Sequence, residues 1–200
     1  MSHWNEKQAL AYDQQWGELD FHRQIPSLAG VSNNTRVIEI GCGGGFLSVC
    51  LANHAEGVSV LALDPSDKMI ELANKRKQQS GLGKAQLAFL QAGAESLSVD
   101  AQSIDLVIAA FSLHHWSDPK LGMQLVFNGL KLGGKIWLCE DMNTPTGGEL
   151  KVNDDLKAFA GIKLLLEQFN FANIKKQLLW TPEGEFLIVE ATKTATINSQ

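Results

Sequence analysis

Val37-Ile38-Glu39-Ile40-Gly41-Cys42-Gly43-Gly44-Gly45-Phe46 is the stretch whose reading decides the fold. It opens as a short apolar run, the pattern of a fully buried strand. Four glycines within five positions follow, and Phe46 to Leu51 then has apolar spacing that suits a helix. A strand that feeds a glycine turn and then a helix is a nucleotide-binding geometry. Glycines permit the tight turn and let a ligand approach the main chain, because no Cβ intervenes. The first N–H groups of the helix have no partner within it and point at whatever sits in front of them. Gly41, Gly43 and Gly45 read G-x-G-x-G, and Phe46 stands where the dinucleotide fingerprint G-x-G-x-x-G needs its third glycine. Glu39, two places before the first glycine, is also foreign to that fingerprint.

Outward from this turn, strand and helix patterns alternate. Val58 to Leu63 reads as a second buried strand with Asp64 at its end. Pro65-Ser66-Asp67 then opens a helix carrying Met69, Leu72 and Ala73 on one face, with Ser66 or Asp67 as its N-cap. Asp64 lies 23 positions after Gly41. An acid there can accept from both ribose hydroxyls of a nucleoside, or simply favour the dipole of the following helix. The glycine turn one strand–helix unit earlier favours the ribose role. The helix ends in Lys75-Arg76-Lys77, which reads as a solvated basic face.

Gln86 to Gln91 is a third strand, entering Ala92-Gly93-Ala94-Glu95-Ser96-Leu97. Ser103 to Ala110 is a fourth, followed by Phe111-Ser112-Leu113-His114-His115-Trp116 and Asp118-Pro119. The adjacent histidines suit a metal site, a general base or a structural role; no third ligand at a recognisable spacing supports metal. Lys120 to Leu130 is helical, Leu132 to Lys135 a turn, and Ile136 to Cys139 a fifth strand ending at Glu140-Asp141. Met142 to Gly148 reads as a short loop. Asn153 or Asp154 caps a last helix bearing Leu156, Phe159, Leu166 and Phe169. Asn170 falls at its left-handed cap. Phe171 to Trp180 and Phe186 to Ala191 form a terminal β-hairpin.

Several of these segments, in order, resemble the class I S-adenosylmethionine-dependent methyltransferases. Glu39 to Gly45 resembles their first motif, E/D-x-G-x-G-x-G, and Asp64-x-Ser66-x-x-Met69 their second. Leu113-His114-His115-Trp116 and the Leu130-Lys131-Leu132-Gly133-Gly134 turn, with Leu132 where proline is usual, resemble later segments. The histidine segment and Tyr12-Asp13 resemble the small-molecule branch, as in quinone-biosynthesis methyltransferases of the type 11 domain. The likeness covers about residues 36 to 192. It implies an α/β fold: a Rossmann-like, doubly wound seven-stranded sheet, mostly parallel, with one antiparallel strand from the C-terminal hairpin. It implies one methyltransferase domain over residues 1–200, with a helical lid at 1–30, a core at 31–193 and a frayed tail at 194–200. The implied cofactor is S-adenosyl-L-methionine, leaving S-adenosyl-L-homocysteine as product. The residues implied to hold it are Tyr12, Glu39, Gly41, Cys42, Gly43, Gly45, Asp64, Pro65, Met69, Ala94, Glu95 and Phe111.

The same likeness implies in-line displacement of a methyl group from a sulfonium by a small-molecule acceptor. His114 and His115 are the catalytic candidates, one ordering the loop and the other facing the acceptor. Relatives often carry Gly-Asp-Ala-Glu, whose Asp accepts from the adenine amino group. Gly93 stands at that Asp, so adenine recognition is expected to rest on the N–H groups of Ala94 and Glu95 and on shape. Two alternatives stay open: a protein that binds this cofactor without transferring methyl, and a nicotinamide-dependent oxidoreductase, against which Phe46 argues.

Composition agrees with one soluble domain. The 200 residues are 44% hydrophobic and 20% charged, enough for a single core. A net charge of −5 disfavours broad contact with nucleic acid. Cys42, Cys50 and Cys139 lack C-x-x-C spacing and read as reduced thiols. The polar start, Met1-Ser2-His3-Trp4-Asn5-Glu6-Lys7, is not a signal peptide, and no apolar run approaches the roughly 20 residues of a membrane span. A cytoplasmic location is expected.

Overall fold

In the computed structural model, residues 6–142 and 153–195 are described, and every apolar run named above lies in one sheet. The chain begins with two helices, α1 (Glu6–Trp16) and α2 (Asp20–Leu28). Strand and helix then alternate: β1 (Arg36–Ile40), α3 (Phe46–Ala52), β2 (Ser59–Asp64), α4 (Asp67–Ser80), β3 (Leu87–Gln91), β4 (Ile104–Ala110), α5 (Pro119–Gly129) and β5 (Leu130–Asp141), save that a 3₁₀ turn at Ala94–Ser96 stands in place of a helix between β3 and β4. After α6 (Phe159–Gln168), the hairpin β6 (Phe171–Thr181) and β7 (Gly184–Lys193) closes the sheet. Strand order is β3-β2-β1-β4-β5-β7-β6. β1 to β5 pair in parallel, whereas β7 runs antiparallel to both β5 and β6.

The near-continuous apolar strands follow from burial on both faces. Period-two alternation sends Ile38, Val107 and Leu138 to one core with Met123 and Val126 of α5 and Leu165 of α6. It sends Val37, Ile108 and Trp137 to the other core with Phe21 and Ile25 of α2 and Leu47 and Leu51 of α3. The helix starts follow the capping chemistry. Ser66 Oγ accepts from Met69 N–H at 3.3 Å, and Asp118 Oδ1 accepts from Leu121 N–H at 3.0 Å with Pro119 in the first turn.

Three local expectations change. Pro26 and Gly30, followed by Ser32-Asn33-Asn34, read in the sequence as a loop leaving the first segment. Instead Pro26 lies inside α2, and the exit falls at Gly30 (φ +71°), because burial of Phe21 and Ile25 carries the helix through the proline. The turn at 132–135 is a bulge within β5: Ile104 pairs with Leu130 but Leu106 with Lys135, and Gly133 takes φ +79° between them. The last helix is split. Asn153 precedes a 3₁₀ turn at Asp154–Lys157, Ala158 is extended, and α6 follows. Gly161 permits this fold-back, because a Cβ there would strike the Asp155 carbonyl. Asn170 adopts φ +60° at the end of α6. The loop expected at 142–148 lies outside the described residues beyond Met142, as does the tail beyond residue 195.

Candidate functional site

Strand order reverses between β1 and β4, and ligands of open α/β sheets bind outside the carboxyl ends at such a point. The glycine turn stands there. Gly41, Gly43 and Gly45 have φ of +78°, +51° and +78°, the left-handed region that a Cβ disfavours. Their surroundings differ. A Cβ at Gly41 would collide with Ser112 Cβ and lie 2.7 Å from its Oγ; one at Gly45 would lie 2.8 Å from Ala73 Cβ and 2.7 Å from Phe89 Cζ. At Gly43 a Cβ would meet nothing within 4 Å. Two glycines therefore serve close packing, and Gly43 faces open space. Gly41 N–H and Cys42 N–H both donate to Leu63 O, at 2.7 and 2.9 Å, which fastens the turn to the end of β2.

Asp64 caps that end. Its Oδ2 accepts from Gly43 N–H and its Oδ1 from Ser66 N–H, each at 2.9 Å. The carboxylate is thus held in one orientation beside the open space. Glu39 lies deeper, beneath the turn. Ser48 Oγ donates to it at 2.5 Å, and burial pushes its pKa up to about 8. Cys42 is buried beside it, and burial raises its thiol pKa far above the usual range, so the thiol stays neutral.

The cavity over the turn is walled by α1 and α2 through Tyr12, Asp13, Trp16 and His22, and by Phe46 and Phe111. Tyr12 is half-buried, and loss of water around its ring, followed by the charges of Asp64, Asp141 and Glu140, pushes its pKa up to about 12. Arg76 of α4 reaches across. Its Nη1 donates to Gly44 O, while Nη2 lies 3.3 Å from Asp13 Oδ2 and 3.0 Å from Glu18 Oε1. The basic run is therefore not a wholly solvated face, because Arg76 ties α1 to the glycine turn.

Met69 is buried in the first turn of α4, and Pro65 is exposed, its carbonyl accepting from Gln91 Nε2 at 3.4 Å. After β3, Ala94–Ser96 forms a 3₁₀ turn packed on α5, with Ala94 against Gly122. The Glu95 carboxylate folds back over Gly93, 2.7 Å from where a Cβ would stand. After β4, Phe111 takes φ +57° and joins Phe21, His22 and Phe186 in an aromatic cluster. The structure separates the two histidines. His114 is buried, with Nδ1 2.6 Å from Glu140 Oε2. His115 is exposed by area, yet partial loss of water around its ring, with His114 and Lys157 nearby, pushes its pKa down to about 4.

The predicted residues thus gather along one sheet edge, from Glu95 beyond β3 to His114 beyond β4. The residue pattern does not mark Arg76, Ser48, Ser112 or Glu140 as site residues. Only Glu140 carried a signal: alternation from Ile136 and Leu138 puts it on a buried face, where a carboxylate is costly.

A glycine turn at the switch point, an acid pinned at the tip of the next strand and a third loop beyond it define a nucleoside-binding α/β domain. Residues 38–138 match the family described as "Methyltransferase domain". The chain belongs to this family, and its fold is that of the class I S-adenosylmethionine-dependent methyltransferases. It is 31% identical over 137 residues to a demethylmenaquinone methyltransferase of Clavibacter sepedonicus, covering 68% of this chain and 51% of that protein. It is 30% identical over 159 residues to a ubiquinone biosynthesis O-methyltransferase of Rhizobium etli, covering 80% and 54%. The chain spans about half the length of these curated relatives. A SAM-dependent methyltransferase from Aquifex aeolicus shares the fold, with a TM-score of 0.73 at 15% identity over 96% of this chain and all of that one. Among the described residues no helix is long and apolar enough to cross a membrane.

Proposed function

We propose that the protein transfers a methyl group from S-adenosylmethionine to a small ring acceptor of the quinol or phenol class, releasing S-adenosylhomocysteine. The observation that carries this reading is the Asp64 carboxylate, pinned by Gly43 N–H and Ser66 N–H beside the open face of the glycine turn. Two N–H donors fix its orientation and aim it for a pair of ribose hydroxyls. The residues present fit the donor: Gly43 leaves the main chain bare, and a third loop with Ala94 and Glu95 stands beyond the ribose acid for the base. When bound, the donor supplies an electrophilic methyl group on a positively charged sulfur.

The chain's own tasks are alignment and exclusion of water. Gly41, Cys42 and Gly43 would hold the donor over Glu39, with Pro65 and Met69 flanking the ribose acid and Gly45 and Phe111 supporting the walls. Residues 1–30 act as a lid through Tyr12 and Asp13. His114 and His115 stand on the acceptor side, where one of them takes the acceptor's proton. The names of the relatives favour a quinone-type ring, and a cytoplasmic setting keeps the three cysteines as thiols.

The test is transfer of labelled methyl from S-adenosylmethionine to a panel of catechols, hydroquinones and non-ring acceptors. Label on a hydroxylated ring supports the reading; label on none of them, with donor bound, sinks it. Asp64→Ala should weaken S-adenosylhomocysteine binding about 100-fold or more by calorimetry, from the loss of two charge-assisted hydrogen bonds. Unchanged affinity removes Asp64 from the site.

A further inference from the structure

His114 follows β4 in a loop that touches the glycine turn, since Ser112 packs on Gly41 and its Oγ donates to Ile40 O at 2.6 Å. The loop is fixed from the other side by Asn153 N–H, which donates to His114 O at 2.8 Å. Against the imidazole stands Glu140, next to the last residue of β5 and fully buried. Nδ1 lies 2.6 Å from Glu140 Oε2, close but off the line of a good hydrogen bond, and Glu140 Oε1 has no hydrogen-bond partner. Burial raises the Glu140 pKa. A carboxylate so placed costs stability, and an apolar residue of similar size would serve the fold as well or better. Leu138, two residues earlier on the same face, is the apolar residue such a position ordinarily takes. The carboxylate is therefore explained by what it does to His114.

We propose that Glu140 is a positioning residue that holds the His114 ring proton on Nδ1 and leaves Nε2 to receive the proton of the acceptor's hydroxyl. The inference rests on the methyl-transfer reading above. In the step, the acceptor's O–H bond breaks and its electron pair forms the new bond from that oxygen to the methyl carbon. The carbon–sulfur pair stays on sulfur, which becomes neutral, and the proton goes to Nε2. The imidazolium so formed is balanced by the Glu140 carboxylate, taking the pair from a net charge of −1 to 0, and the proton later passes to water. The same division of labour orients a base in acyl-transfer triads. The other groups near the pair are His115 beside the ring, Lys157 from the 3₁₀ turn and Tyr12 from α1.

The test uses the full chain with Glu140→Leu and Glu140→Asp. Nitrogen-15 NMR of the histidines, with His114→Asn for assignment, should show the His114 proton on Nδ1 in the unaltered protein. In Glu140→Leu it should move largely to Nε2. With an acceptor from the labelled-methyl panel, kcat of Glu140→Leu should fall about 100-fold, the scale of general-base catalysis. The acidic limb of its pH profile should move to lower pH, because the imidazolium loses its counter-charge. S-adenosylhomocysteine affinity should stay within threefold, thermal stability should hold or rise, and Glu140→Asp should recover part of kcat. An unchanged tautomer, an unchanged kcat, or parallel loss of donor binding and folding in Glu140→Leu overturns the proposal. The tautomer needs no acceptor, so failure of the positioning role and failure of the methyl-transfer reading are seen separately.

Discussion

Around Gly43 the site is made of main chain; around His114 it is made of side chains taken out of water. At the glycine turn, position comes from positive φ angles and from N–H groups given to Leu63 O and Asp64. Such a cradle changes little with pH, because backbone donors do not titrate. Across the switch point, His114 and Glu140 are buried against each other, and loss of water around Tyr12 nearby pushes its pKa up to about 12. That half can respond to a proton. The proposed transfer asks for this contrast: a donor bound in one pose and an acceptor that loses a proton.

The glycines offer the strongest way to break the main-chain half. Gly41 and Gly43 share the left-handed conformation, but only Gly41 meets a neighbour that cannot rotate away, Ser112 Cβ. Gly41→Ala should combine backbone strain with overpacking and cost about 4 kcal/mol in urea denaturation. Gly43→Ala should cost about 1 kcal/mol, leave the fold intact and still weaken S-adenosylhomocysteine binding. Equal stabilities for the two variants would end the division into packing glycines and a ligand-facing one.

The next effect in size is a dependence of stability on pH from buried groups beside the turn. Burial raises the Glu39 pKa to about 8, so the folded chain keeps a proton that the unfolded chain releases. Stability from this group is complete below about pH 4.5 and falls as pH rises toward 8, by a few kcal/mol at about 1.4 kcal/mol per unit. His22 works in the opposite sense. Burial lowers its pKa to about 4, and Leu19 N–H donates to its Nδ1, so it folds neutral. Its contribution is present above about pH 6.5 and is lost as pH falls toward 4. Glu39→Gln should therefore remove the loss on the alkaline side while keeping an acceptor for Ser48 Oγ. Melting temperatures from pH 5 to 8 check this, and an unchanged slope refutes the buried proton.

How much of this could be read from residue order follows the same line. The strands, the glycine turn and Asp64 were legible because they are local: apolar runs, glycine spacing and an acid at a strand end. The reversed direction of β7 was legible only through the family likeness. The bulge at 131–134 was hidden because its residues look like a free turn, and pairing of Ile104 with Leu130 draws them into the ladder. Arg76 was misread because its partners, Asp13, Glu18 and the Gly44 carbonyl, lie 32 to 63 positions away. Glu140 and His114 are likewise joined only by the fold. Adjacent histidines suggest a site, but which one is buried depends on β5 and on the 3₁₀ turn carrying Asn153.

Arg76 gives the smallest effect and bears on how the two halves are closed together. It is the contact by which α1, carrying Tyr12 toward the acidic side, is fastened to the turn itself. Arg76 and Asp13 keep under a fifth of their side-chain surface exposed, whereas Glu18 keeps more than half. The Asp13 and Gly44 contacts should therefore outweigh the Glu18 pair, which water and salt screen. Arg76→Leu should lower overall stability by only about 1 kcal/mol, since α1 adds little to the sheet core. It should nevertheless speed chymotrypsin cleavage after Tyr12 and Trp16, because local opening of α1 no longer breaks a buried charge contact. Glu18→Gln should change cleavage much less. If Arg76→Leu leaves the cleavage rate unchanged, apolar packing holds α1 in place, and its seating is independent of the main-chain cradle beneath it.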